Sequence, residues 1–145
     1  MKQEHPPIKF GKTGVLLINL GTPDSTNWLD IRKYLKEFLS DRRVIDYSPF
    51  LWQPLLQLLI LTSRPFRSGA AYKSIWNEER SESPLLTITK DQTAAIKKIM
   101  QQQYGDGIAV EFCMRYGNPS TKSKVRSLVS MGCSKILFFL SLIHI

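Results

Sequence analysis

The run Gly14-Val-Leu-Leu-Ile-Asn-Leu-Gly-Thr-Pro-Asp24 constrains the fold more than any other part of the chain. Val15–Leu20 is too short for a helix core and suits a strand buried on both faces. Pro23 has no amide donor and a fixed φ, so a strand at about 14–20 must stop before it. Gly21 permits a tight turn or a close approach to a ligand. Asp24 and Ser25 offer N-cap side chains to a following helix. Strand, turn and helix start make the first half of a β-α-β unit. In a parallel sheet, ligands collect beyond the carboxyl ends of the strands, where Leu20–Asp24 would lie. A purely structural sharp turn would read the same way. The chain holds neither G-x-G-x-x-G nor G-x-x-x-x-G-K-[ST].

A second unit repeats the pattern. Ile108–Met114 reads as a strand and breaks at Arg115-Tyr116-Gly117-Asn118-Pro119-Ser120. Ser120 would cap a helix at about 121–131, which Gly132 stops, and Cys133 opens a third apolar strand. Leu20-Gly-Thr-Pro-Asp and Tyr116-Gly-Asn-Pro-Ser both run residue-Gly-polar-Pro-cap. Two such units predict an α/β fold: a parallel sheet with flanking helices and right-handed crossovers. Both loops then lie on one sheet edge, and Arg115 and Tyr116 face the same crevice as Leu20.

The intervening chain reads as helical. Residues 1–12 are polar, contain Pro6-Pro7, and are expected to form a disordered lead. A helix at about 25–40 sets Trp28, Ile31, Leu35, Phe38 and Leu39 on one core-facing side. Ser40-Asp41-Arg42-Arg43 ends it, and the arginines either complement the helix dipole or offer planar forks to a carboxylate ligand. Val44–Tyr47 reads as extended chain or a short strand. Pro49 restarts a helix whose residues Leu51–Leu61 are apolar nearly all round. Such a surface is deeply buried, or walls an apolar pocket, or touches a membrane. Arg64-Pro65 is expected to end that helix, with a short one at about 69–79 carrying Tyr72, Ile75 and Trp76. Ser83-Pro84 starts a helix at about 84–102, with Leu85, Ile88, Ala95, Ile96, Ile99 and Met100 on its buried face.

The 145 residues suit one domain or part of a larger one. A net charge of +8 fits polyphosphates, anionic membrane surfaces or carboxylate-bearing small molecules, and equally a basic surface with no partner. The charges are scattered along helices without interleaved aromatics, so no nucleic-acid partner is expected. Cys113 and Cys133 lack C-x-x-C spacing and read as reduced thiols of a cytoplasmic protein. With His5 and His144 near the two ends, the sequence offers no metal-ligand cluster. Leu51–Leu61 is too short to span a bilayer and is interrupted by Gln53, Pro54 and Gln57.

Asn19-Leu-Gly-Thr-Pro-Asp, Phe38-Leu-Ser-Asp-Arg-Arg-Val, Ser83-Pro-Leu and Met114-Arg-Tyr-Gly-Asn-Pro-Ser occur in order from about Gly14 to Phe139. Together they closely resemble the ferrochelatase family, whose members insert ferrous iron into a porphyrin to form haem. The resemblance implies one half of a fold in which two similar α/β halves clasp a flat macrocycle. It implies that Leu20 reaches toward the porphyrin face. Arg64, Tyr72 and Ser83 would hold propionates or line the pocket mouth. Arg115 and Tyr116 would lie deep in the cleft, and Arg42 would be a further substrate-binding cation. Leu51–Leu61 resembles an apolar pocket lip with possible peripheral membrane contact.

A porphyrin needs apolar and aromatic walls for its faces and a few cations for its carboxylates. Insertion also needs ring distortion and a base for two pyrrole protons. In the family, base and metal-handling work falls to a histidine and a glutamate of the second half, so no catalytic or metal-binding residue is assigned to this chain. Iron is expected as substrate, with no cofactor visible, and any iron–sulfur cluster would be held largely by that second half. After Phe138-Phe139 the chain reads Leu140-Ser-Leu-Ile-His-Ile145, which departs from the family pattern. A reading-frame slip near Phe139 would account for the departure, and His144 is not read as the catalytic histidine. The expectation is therefore the amino-terminal part of a protoporphyrin ferrochelatase, inactive alone. The alternative is a non-catalytic porphyrin-binding remnant.

Overall fold

In the computed structural model, residues 11–141 are described; the expected lead before Gly11, the last four residues of the expected tail, His5 and His144 lie outside them. Three parallel strands form one sheet in the order β2-β1-β3. β1 (Lys12–Thr22) is the central strand, as its unbroken apolar run requires, and β2 (Ile108–Gly117) and β3 (Cys133–Leu140) pair to either side. Leu16, Leu17, Ile18 and Asn19 at its centre are all buried. β1 continues through Gly21 to Thr22, further than expected, and Pro23 then stops it.

One face packs on α5 (Thr121–Ser130), where Leu128 joins Leu16, Ile18, Cys113 and Cys133. The other carries α4 (Pro84–Tyr104), tied by Asn19 Nδ2 donating to Thr89 Oγ1 at 3.1 Å. The apolar stripe expected for α4 is not its buried face: Ile88 and Ile99 are about half exposed, while Thr89 and Thr93 are buried. Small threonines permit a close approach to the sheet, and their hydroxyls are satisfied within the helix, Thr89 donating to Leu85 O and Thr93 to Thr89 O, each at 2.7 Å.

α1 (Trp28–Ser40), α2 (Pro49–Leu55) and α3 (Leu61–Ile75) build a second core beyond the carboxyl ends of the strands. The cap of α1 is Asn27, not Asp24 or Ser25: its side chain accepts from Asp30 N–H at 2.9 Å. Ser25 Oγ instead donates to the Asp30 carboxylate, and Asp24 accepts from Asn118 Nδ2 of the second loop at 2.9 and 3.1 Å. Val44–Tyr47 forms no strand, because Val44 and Ile45 N–H groups close a turn onto Asp41 O.

The expected helix break at Arg64-Pro65 does not occur. A π-helical turn, Leu56–Ile60, joins α2 to α3, and α3 runs through Pro65 to Ile75 with no separate helix at 69–79. Pro65 leaves the Leu61 carbonyl without its intrahelical donor, and Arg32 Nη1 of α1 donates to that oxygen. The apolar run ahead of it is split. Leu56 and Leu61 are fully buried, whereas Phe50, Leu51, Leu58 and Leu59 are exposed by 60% or more. Among the described residues no helix is long and apolar enough to cross a membrane.

Candidate functional site

The two matching loops meet at the sheet edge. Asn19 pairs with Met114 and Gly21 with Tyr116, so Leu20 and Arg115 lie side by side between those pairs. The backbones touch: a Cβ on Gly21, at φ +124°, would fall 1.9 Å from the Tyr116 carbonyl oxygen. Only glycine fits there.

Beside this junction an open depression of about 990 Å³ lies between α1 and the end of β2. Lys33, Lys36, Arg42, Arg43 and Arg115 line it, against two carboxylates, Glu37 and Asp41. Both acids are engaged. Glu37 accepts from the Gly117 N–H at 3.0 Å. Asp41 Oδ2 accepts from Arg115 Nη2 at 2.6 Å and from the Tyr116 hydroxyl at 3.0 Å, and its Oδ1 accepts from the Arg43 N–H at 2.9 Å. That N–H chiefly, then the Tyr116 hydroxyl and the Arg115 and Arg43 guanidiniums, hold the Asp41 carboxyl below its usual range against the opposing effect of burial. The Arg115 guanidinium also lies 4.8 Å from the centre of the Tyr116 ring.

From the depression a line of aromatic rings leads into the helical core. Tyr116 meets Phe38 edge-on at 5.1 Å, Phe38 stacks with Tyr34 at 6.2 Å, and Tyr34 meets Tyr72 at 6.4 Å. Burial raises the hydroxyl pKa of Tyr34, Tyr72 and Tyr116, so all three remain neutral donors. Tyr34 donates to the Gly21 carbonyl at 3.2 Å, which ties the ladder back to the first loop.

The structure thus gathers Arg42, Arg115 and Tyr116 at one depression, with Leu20 and Tyr72 half-buried against the adjoining core. Arg64 lines a separate shallow hollow on α3 with Arg67, Ser68 and Ala71. Ser83 is 2% exposed, and its Oγ caps α4 by accepting from the Leu86 N–H at 3.2 Å, so the structure puts it in a helix cap rather than among the site cations. Sequence reasoning missed Asp41 and Lys36, and left Arg43 between a helix-dipole role and a fork for a carboxylate. Asp41 was legible only as a residue at a helix end, and its partner Arg115 is 74 residues away. Among the described residues no cluster of His, Cys, Asp and Glu could hold a metal ion.

Residues 12–144 match the sequence model of the ferrochelatase family, beyond the span over which the motifs carry the resemblance. The chain belongs to that family. It is 57% identical over 136 residues to a ferrochelatase of Rhodobacter capsulatus, covering 93% of this chain and 39% of the relative. It is 51% identical to the Gluconobacter oxydans ferrochelatase, with 90% and 37% covered, and 47% identical to that of Allorhizobium ampelinum, with 96% and 40% covered. The chain therefore spans about two fifths of the length of these relatives.

Proposed function

We propose that this chain supplies the porphyrin-gripping part of a ferrochelatase, which inserts ferrous iron into protoporphyrin IX to form haem. The observation that carries the reading is the junction of an aromatic ladder with a cationic depression at the carboxyl edge of a parallel sheet. A flat dicarboxylate needs that combination: rings and aliphatic walls for its faces, guanidiniums for its propionates. Leu20, Tyr72 and Tyr116 would line the macrocycle side. Arg42, with Arg43 and Lys36, would take the carboxylates. Arg64 would serve only where the ligand extends along α3, and Ser83 acts by ordering α4.

Metal insertion needs a base for the pyrrole protons. Glu37 and Asp41 are both occupied by donors, and Asp41 is a weakened base. The reading therefore assigns binding to this chain and proton removal to residues outside the described ones, with iron as substrate. A cytoplasmic setting belongs to the same reading, supported by the free cysteines Cys113 and Cys133.

Soret titration and a metal-insertion assay test it together. The 145-residue chain is expected to shift the porphyrin spectrum without inserting metal, and the complete natural chain to do both. No spectral shift with either would overturn the reading. A shift with no insertion by the complete chain would favour the non-catalytic binding remnant.

A further inference from the structure

Arg115 stands where a ligand-binding cation is expected, but its charge is already spent. Asp41 Oδ2 lies 2.6 Å from Arg115 Nη2 and accepts the Tyr116 hydroxyl at 3.0 Å. The carboxylate is fixed from its own backbone: Asp41 ends α1, its N–H bonds back to Phe38 O, and the Arg43 N–H holds Oδ1. Its side chain is 13% exposed, while that of Arg43 is 84% exposed and only 3.8 Å from Oδ1. Arg42 lines the same depression and is exposed.

We propose that Asp41 is a positioning residue that neutralises Arg115 and fixes the Tyr116 hydroxyl, leaving Arg42, which makes no ion pair among the described residues, as a cation presented to an anionic ligand. This deepens the porphyrin reading and rests on it for the identity of the ligand. Without Asp41, Arg115 would become a further free cation with no fixed direction. Without Arg115, Asp41 would turn a bare carboxylate toward the ligand and repel it. The pair thus sets both the charge count of the depression and the orientation of its deepest ring.

The test uses the complete natural chain and two probes: protoporphyrin with free propionates, and its dimethyl ester, which keeps the shape and loses the charge. Asp41→Asn is expected to tighten the free acid by up to about fivefold, the upper end for one exposed ion pair. The ester should be unchanged and turnover should fall, with Asp41→Glu restoring both. Arg115→Gln should weaken only the acid. The double variant should return the acid-to-ester ratio to the wild-type value, because it exchanges one neutral pair for another. Equal weakening of acid and ester in Asp41→Asn, no change in either, or a double variant that still binds the acid poorly would overturn the proposal. A second measurement needs no ligand. NMR should find slow rotation of the Arg115 guanidinium in the wild type and fast rotation in Asp41→Asn. Fast rotation in the wild type would overturn the positioning. If the wild type binds neither porphyrin, the ligand reading fails and the NMR result alone decides the role of Asp41.

Discussion

Replacing Gly21 by alanine should damage this fold more than any other glycine-to-alanine change at a turn. Gly21 lies at φ +124°, and an added Cβ would sit 1.9 Å from the Tyr116 carbonyl oxygen and 2.8 Å from its carbon. Both are backbone atoms of the neighbouring strand, so no rotamer change relieves the contact. The backbone conformation costs about 1–3 kcal/mol for a residue with a side chain. Prising β2 from β1 at this rung costs a further ~1–3 kcal/mol by analogy with overpacked sites. The sum, about 2–6 kcal/mol, is large against a typical total of about 5–15 kcal/mol. Two other glycines separate the terms. Gly132 is at φ +86° with nothing within 4 Å of a Cβ, so alanine there should cost only the backbone term, about 1–2 kcal/mol. Gly107 has an ordinary φ and open space, and alanine there should be neutral or stabilising by up to about 1 kcal/mol. Urea unfolding followed by the fluorescence of Trp28, Trp52 and Trp76 measures all three variants. A cost for Gly21→Ala no larger than that for Gly132→Ala would refute the steric argument.

Arg32→Met should lower stability by about 1–3 kcal/mol in thermal melts, because it leaves the Leu61 carbonyl exposed by Pro65 without a donor; Arg32→Lys should recover part of the loss. Asp41 has a carboxyl pKa below the ordinary 3.8, so it stabilises the fold above that value and ceases to do so as pH falls through its folded pKa. Asp41→Asn should accordingly flatten the acid limb of the stability–pH curve, and an unchanged limb would count against its hydrogen-bond set. Phe50, Leu51, Leu58 and Leu59 are exposed apolar residues on the helical segment that leads into α3, whose basic residues include Arg64 and Arg67. Co-sedimentation with anionic vesicles should fall severalfold in Leu51→Asp or Leu58→Asp, and binding that ignores both changes would exclude this lip as the contact.

The sheet was legible because its signals are local. An apolar run closed by Gly-Thr-Pro-Asp, echoed by Tyr-Gly-Asn-Pro-Ser, carries strand and turn within one short window each, and the second also carries its helix cap, Ser120. What escaped depended on partners distant in sequence. Pro65 is an unambiguous breaker when read alone, and only Arg32, a residue of another helix, makes its continuation through α3 tolerable. The buried face of α4 was misread because hydropathy favours isoleucine, while the close helix–sheet approach and the Asn19 contact favour threonine. The site divided in the same way. Leu20, Arg115 and Tyr116 follow from strand ends, but nothing near Arg115 in sequence announces that Asp41 will take its charge.

A porphyrin chelatase needs groups that grip carboxylates and a group that accepts protons, and the two demands conflict within a small site. A gripping site is strongest when its cations are unpaired. A carboxylate held by several donors, as Asp41 is, has a depressed pKa and is a poor base. Here both acids of the depression are tied to donors, and Asp41 is driven further from basicity by the hydrogen bonds that make it useful for positioning. The described residues include no histidine. Both acids of the depression are thus committed to holding the end of β2, which leaves the described residues of this depression suited to binding an anion rather than to accepting a proton.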